Sequence, residues 1–228
     1  DLQSLVVQLT KDRLPKAYGY SPIDDIQILS PTRKGPSGTV ELNKKLQAEL
    51  NPPSKEKSEI KTFQYIYRVG DKVMQTKNNY DIVWSKDLGD GVKEKGSGIF
   101  NGDIGIITAA NKYTGIITID FEGRICNYTI SMLEHLDLAY AITVHKSQGS
   151  EFDVVILTVF GGFDKLYYRN LLYTAVTRAK KLLIIIGSAK KLDYMIDNNR
   201  RTLRYTVLKN MLIQDGNSDG LTEEIDFE

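Results

Sequence analysis

The sequence is poor in the residues that make metal and disulfide chemistry. It has one cysteine, Cys126, and two histidines, His135 and His145, in 228 residues. One thiol closes no internal disulfide, and no Cys/His cluster has the spacing of a zinc site. No metal site is therefore expected, and the single thiol fits a reducing, cytosolic setting. No apolar run approaches the roughly 20 residues that cross a bilayer, so no membrane contact is expected. The start, "DLQSLVVQLTKDR", lacks a basic segment followed by an apolar one, so it does not read as a signal peptide. It also lacks a starting Met, and the chain reads as a fragment. Charge of one sign is missing too. The net charge of +1 gives no global basic field, so any nucleic-acid contact must come from local placement.

What is present is ordinary for a soluble globular chain: 41% hydrophobic and 26% charged residues, enough to build a core. "IQILS" (26–30) reads as a short buried strand. "PTRKGPSG" (31–38) breaks it, and "TVELNKKLQAEL" follows with Leu42, Leu46 and Leu50 at i, i+4 and i+8, one face of a helix. Thr39 is its expected N-cap and Asn51-Pro52-Pro53 its stop. From about Tyr65 the pattern becomes short and β-rich. Asn101-Gly102, Thr114-Gly115 and Glu122-Gly123 supply turns, with Asn101-Gly102 the strongest hairpin signal. The polar, glycine-rich stretch 85–98 reads as a mobile loop.

From Leu138 the α/β pattern returns. "LAYAIT", "VVILTVF" and "LLIIIG" read as buried strands. Tyr168, Leu171, Leu172, Ala175, Val176 and Ala179 share one helical face between the last two. Ser188 caps a short helix, and "TLRYTVLKNML" repeats the helical spacing. The stretch 214–228 carries only acids and reads as a disordered tail. The expected fold class is α/β, a parallel sheet with helices on both faces, interrupted by a small β-barrel insert. The expected division is 1–64 and 138–213 for the sheet domain, 65–137 for the insert and 214–228 for the tail. In parallel sheets ligands lie beyond the carboxyl ends of the strands. Thr32-Arg33 and the segment His145–Glu151 are expected there.

Two segments carry candidate chemistry. In "TVHKSQGSEF" (143–152), Thr143, His145, Lys146 and Ser147 offer donors for phosphate oxygens. Gly149 lets a backbone N–H come close to a ligand, and Glu151 offers an acceptor for a ribose hydroxyl. The same residues also suit a plain polar loop capped by Glu151. In "LLYTAVTRAKKLLIIIG", Arg178 lies at the end of a helix beside Lys180 and Lys181. That is either a favourable pairing with the helix dipole or an arginine that reaches a phosphoryl group. Tyr65, Tyr67, Tyr80, Trp84 and Phe100 in the insert are either base-stacking platforms or core. Lys190, Lys191, Arg200, Arg201 and Arg204 are either a basic stripe or a solvated helix face.

Taken together, "AYAITVHKSQGSEFDVVILTV" resembles motif V of superfamily-one helicases and "LLYTAVTRAKKLLIIIG" their motif VI. "IQILSPTRKGPSGTVELNKKLQAELNP" resembles the motif IV region of the RecD/TraA branch. "RVGDKVMQTKNNY" and "IFNGDIGII" are similar to the small β-barrel inserted in the second RecA-like domain of RecD-type helicases. The resemblance implies the C-terminal motor domain of an ATP-driven 5′→3′ DNA helicase of the exodeoxyribonuclease V alpha chain family. It implies Arg178 as the arginine finger, and Gly149, Glu151, Arg33 and Gln148 on the nucleotide side. It implies Thr143, His145, Lys146 and Thr32 on the DNA side. The implied cofactor is ATP with magnesium. The implied partners are single-stranded DNA, an N-terminal RecA-like domain and subunits of a nuclease/helicase complex. The chain has no G-x-x-x-x-G-K-[ST] loop, so alone it is not expected to hydrolyse ATP efficiently, and the magnesium ligands are expected on the other domain. A non-catalytic nucleic-acid-binding scaffold and an RNA helicase of the same superfamily are the alternatives.

Overall fold

The computed structural model describes residues 2–160 and 166–199. The stretches "TLRYTVLKNML" and 214–228, and Arg200, Arg201 and Arg204, lie outside the described residues. The chain opens with helical structure that its sequence pattern does not announce. Helix α1 (Leu2–Gln8) runs through a π-helical turn (Leu9–Arg13) into α2 (Leu14–Tyr18). Its inner side is Val6, Thr10 and Leu14, and the Thr10 hydroxyl is satisfied by the Val6 carbonyl at 2.8 Å.

Strand β1 (Ile26–Ser30) is buried throughout. Helix α3 (Thr39–Leu50) buries Leu42 and Leu46 as the leucine spacing predicts. Its N-cap is Gly38 rather than Thr39, and Thr39 opens the first turn. A short hairpin follows, β2 (Glu59–Lys61) with β3 (Ile66–Arg68). The insert is then built from β4 (Lys72–Gln75), β5 (Asn79–Asp87), β6 (Lys93–Ile99), β7 (Ile104–Asn111), β8 (Ile116–Phe121), β9 (Arg124–Tyr128) and β10 (Leu136–Leu138). The chain returns through β11 (Ala141–Thr143), a 3-10 turn (Val144–Ser147), β12 (Phe152–Val159), α4 (Arg169–Val176), β13 (Ala179–Gly187) and α5 (Ala189–Asp197). Ser188 is the N-cap of α5, as expected.

Two sheets result. The first has the order β11-β1-β12-β13 and all its pairs are parallel. Alternate strand residues feed two cores, as the period of two requires. Ile26, Ile28, Val154 and Ile156 face Val6, Leu42 and Leu46. Leu29, Val155 and Leu157 face Leu171, Ala175 and Met195. Helices therefore cover both faces. The second sheet is antiparallel, in the order β10-β4-β7-β8-β9-β5-β6. Its inner residues Val73, Ile107, Ile119, Phe121 and Tyr128 join the same core as Leu42 and Leu46, so insert and parallel sheet share one interior. Pairing does not close it into a barrel, because β6 and β10 remain unpaired edges among the described residues.

Two expectations for the insert change. Residues 85–98 form no open loop but most of a long hairpin, with Trp84 opposite Gly96 and Lys86 opposite Glu94. The Trp84 ring explains one glycine: a Cβ at residue 96 would lie 2.4 Å from it. Composition marks these residues as loop, but cross-strand packing decides. Asn101-Gly102 does turn the chain, yet β6 and β7 do not pair with each other; β7 pairs with β4 and β8. Glu122-Gly123, both at positive φ, closes a tight β8–β9 hairpin.

Candidate functional site: two edges of the parallel sheet

Parallel strands start together and end together, so the sheet has an amino rim and a carboxyl edge. Strands β12 and β13 begin side by side at Phe152 and Ala179, and the Phe152 N–H donates to the Arg178 carbonyl at 2.8 Å. Arg178 is thus placed by the end of α4 directly beside the segment 149–151. Its Nη1 donates to the Ser150 carbonyl at 2.9 Å, its Nε to the Thr174 carbonyl at 3.0 Å and its Nη2 to the Thr177 hydroxyl at 3.1 Å. A guanidinium has five N–H donors, so these bonds orient it without exhausting it. Gly149 sits at φ +89, with open space where a Cβ would be. An L side chain is strained there, and the bare backbone leaves the N–H approachable. Glu151 is exposed, with the Lys180 ammonium 4.0 Å away. A cleft of about 760 Å³ separates this rim from the insert, lined on one side by Gly149, Glu151 and Lys180 and on the other by Asp103 and Arg124.

The carboxyl edge is different. β1 and β11 end together at Ser30 and Thr143. Just beyond, Arg33 Nη2 lies 3.2 Å and Lys146 Nζ 3.9 Å from one carboxylate oxygen of Asp137. Thr143 and Tyr65 line the same small pocket. Burial holds the Lys146 amine below its ordinary value, Asp137 opposes this, and Arg33 adds to it.

Arg33 therefore stands with Thr143 and Lys146 and not with Gly149, Glu151 and Arg178. The five residues of β1 separate the two edges, roughly 16 Å at 3.3 Å per residue. Thr32 is buried, and its carbonyl accepts from the Thr39 N–H at 3.1 Å, so it serves the β1–α3 turn. His145 is exposed with Nε2 3.2 Å from the Tyr168 hydroxyl. Gln148 is exposed and ends the 3-10 turn between the two edges. The expectation that His145–Glu151 all lie beyond the carboxyl ends is corrected here. Because β12 runs parallel to β11, the chain must cross back to the amino rim before β12 begins. Val144 and Ser147, both buried, make that crossing.

One further set escaped the sequence reading. Asn43, Gln47 and Asn51 form a second stripe on α3, one residue after the leucines, and all three are buried. Asn43 bonds the Leu138 and Ala141 carbonyls and accepts from the Ala141 N–H. Gln47 and Asn51 donate to Asp71 at 2.6 and 2.7 Å. The Tyr140 hydroxyl at 2.9 Å and the Arg68 N–H at 2.8 Å complete four donors on that carboxylate. Burial raises the Asp71 carboxyl and these bonds lower it. Both chain crossings of the insert, at Asp71 and at 138–141, are thereby fastened to α3. The signal was visible as amides at i, i+4 and i+8.

Residues 42–121 match a family model described as the ATP-dependent RecD-like DNA helicase SH3 domain, and residues 138–186 one described as the UvrD-like helicase C-terminal domain. The chain belongs to the RecD-type superfamily-one helicases. The ATP-dependent RecD2 DNA helicase of Deinococcus radiodurans is 37% identical over 164 residues, covering 72% of this chain and 20% of the relative. The RecBCD enzyme subunit RecD of Mycobacterium tuberculosis is 27% identical over 194 residues, covering 85% and 30%. This RecD-type chain thus spans less than a third of the length of either relative. A Pif1 helicase structure from Bacteroides overlays with a TM-score of 0.48 at 19% identity, covering 96% of this chain and 50% of that one.

Proposed function

We propose that the chain is the second motor domain of an ATP-dependent DNA helicase that moves 5′→3′ on a single strand. The amino rim takes part of the nucleotide and the carboxyl edge takes the strand. The observation that supports this most is the Arg178 guanidinium bonded to Ser150, which puts a fixed cation beside the open Gly149 backbone and the Glu151 carboxylate. In this reading Arg178 is the arginine finger, Gly149 offers its N–H to a phosphate and Glu151 accepts from the ribose. ATP supplies the free energy of translocation. This sequence carries no G-x-x-x-x-G-K-[ST] loop, so magnesium is assigned to the N-terminal RecA-like domain that the family resemblance implies. On the other edge Thr143, His145 and Lys146 face the strand, and Arg33 joins them there rather than the nucleotide. The insert borders the cleft and is fastened to α3 at both of its chain crossings. The names of the relatives, a RecD2 DNA helicase and a subunit of the RecBCD enzyme, favour DNA over RNA and a multisubunit enzyme as partner.

The test is strand separation by the intact protein with ATP. A duplex with a 5′ single-stranded tail should open and one with a 3′ tail should not. Opening only the 3′-tailed duplex overturns the polarity, and an RNA tail working as well as DNA overturns the substrate.

A further inference from the structure

The β2–β3 hairpin belongs to neither edge, yet it touches one of them. Its tip is Thr62–Phe63–Gln64. The Thr62 N–H and hydroxyl both donate to the Tyr65 carbonyl, at 2.8 and 2.9 Å, and the Tyr65 N–H donates to the Thr62 hydroxyl at 3.1 Å. The turn is therefore locked. On it Phe63 is fully exposed, at 110% of its reference surface, while its neighbours Tyr65 and Tyr67 are buried. A phenyl ring carried out into water on a hydrogen-bonded turn gains nothing from the fold, since no part of it is buried.

Its surroundings suggest what covers it. Tyr65 lines the small pocket it shares with Arg33, Thr143 and Lys146, and it also lines a cleft of about 270 Å³ with Phe63, Lys61 and Lys44. The hairpin thus prolongs the cationic edge. Lys44 is paired with Glu41 at 2.9 Å. Lys61 makes no ion pair among the described residues and stands exposed two residues from Phe63. Tyr113, also exposed at a turn tip, offers a contrast, because Lys112 Nζ already lies 5.2 Å over its ring.

We propose that Phe63 is a base-stacking platform for single-stranded nucleic acid passing over the carboxyl edge, with Lys61 holding the adjacent phosphate. The inference rests on the reading of that edge as the strand track. Every base has a π-face, so such a platform is tolerant of sequence. It complements the phosphate contacts of Arg33 and Lys146, which carry charge but no stacking surface.

The experiment is oligonucleotide binding by the intact protein, followed by fluorescence anisotropy over a series of salt concentrations. Phe63→Ala should weaken binding about tenfold with an unchanged salt slope, since stacking releases no counterions. Phe63→Leu should lose as much, and Phe63→Trp should keep the affinity. Lys61→Ala should lower the slope by about 0.7, and Tyr113→Ala should change nothing. Phe63 buries no surface, so these variants should fold and melt as the unmodified protein does. Phe63→Ala binding as tightly as the unmodified protein overturns the inference. If Arg33→Ala and Lys146→Ala still weaken binding in that case, Phe63 alone is misassigned. If they do not, the strand track itself is wrong.

Discussion

The two edges of the parallel sheet use cations in opposite ways. At the amino rim the Arg178 side chain is bonded only to neutral oxygens, two carbonyls and a hydroxyl. At the carboxyl edge Arg33 and Lys146 share the Asp137 carboxylate. A guanidinium with neutral partners is held in place and keeps its full charge for an incoming anion. Two cations over one carboxylate leave a single net charge, spread over both. The first arrangement suits one oxygen in one geometry. The second suits a repeating phosphate backbone that must slip past. The two edges are joined by the five residues Val144–Gln148, of which Val144 and Ser147 are buried, with Thr143 at one end and Gly149 at the other. The rim and the strand edge are thus coupled through one short chain segment.

The contrast is most easily broken at Arg178. Arginine fingers contribute about 10³–10⁵ in rate where phosphoryl transfer has been measured. Arg178→Ala in the intact protein should lose turnover on that scale while nucleotide binding weakens far less. Phosphate release and nucleotide titration separate the two quantities. Retention of more than about a tenth of the turnover would favour the plainer role, a cation at the end of α4.

The next largest effect is expected at Asp71. Asp71→Ala leaves the Gln47, Asn51 and Tyr140 donors buried without their acceptor. Each orphaned buried donor costs about 1–3 kcal/mol, so a loss of at least about 3 kcal/mol is expected in denaturant unfolding. Tyr140 immediately precedes β11, so under folding conditions the surviving defect should fall on strand affinity at the carboxyl edge and spare nucleotide affinity at the rim. Equal loss of both would show that the two edges are not supported separately.

How far the sequence foretold these edges depends on which force shaped each segment. Buried strands such as Ile26–Ser30 and Phe152–Val159 are mostly apolar, with only Gln27, Ser30, Asp153 and Thr158 interrupting them, and those are legible one residue at a time. Leu42 and Leu46 are legible by spacing. The rim was legible only as residue types, since Gly149, Glu151 and Arg178 suit a phosphate and a ribose and equally suit a polar loop and a helix end. Its position was not, since the crossing from β11 to β12 follows from strand order in space. Asn43, Gln47 and Asn51 were overlooked because amides on a helix ordinarily face water. Only the insert's return past α3 buries them. Residues 85–98 misled because glycine and charge are read locally, whereas Trp84 across the hairpin is what makes Gly96 a strand residue.

A milder way to sharpen the comparison lies at the carboxyl edge. Arg33→Ala and Lys146→Ala should each weaken binding of a single strand several-fold at low salt. Each should also lower the slope of log affinity against log salt by about 0.7. Neither should alter nucleotide affinity. A change in nucleotide affinity with an intact salt slope would return Arg33 to the rim set, where sequence resemblance first put it.

The smallest effect tests the joint that carries the insert against the amino rim. Lys72 in β4 is buried, with Nζ bonded to the Ile23 carbonyl at 2.7 Å and 6.0 Å from the centre of the Phe152 ring, the first residue of β12. Burial pushes its amine down to about 8, although Asp24 and Asp25 oppose this. In the unfolded chain the same amine titrates near 10.4. Below pH 8 both states carry the proton and the cost of the buried charge is present in full. Between about pH 8 and pH 10 the unfolded state holds more protons than the folded one, so stability from this group rises with pH. The gain should be on the order of 1 kcal/mol by about pH 8.7 and should vanish in Lys72→Met, when both proteins are unfolded in urea across that range. The Ile23 and Ile26 carbonyls lose their donor in that variant, so its stability at pH 7 is no guide. The difference in slope is the informative quantity. A parallel pH dependence in the two proteins would mean that Lys72 reaches water, and that the insert meets the rim through a looser joint than β4 suggests.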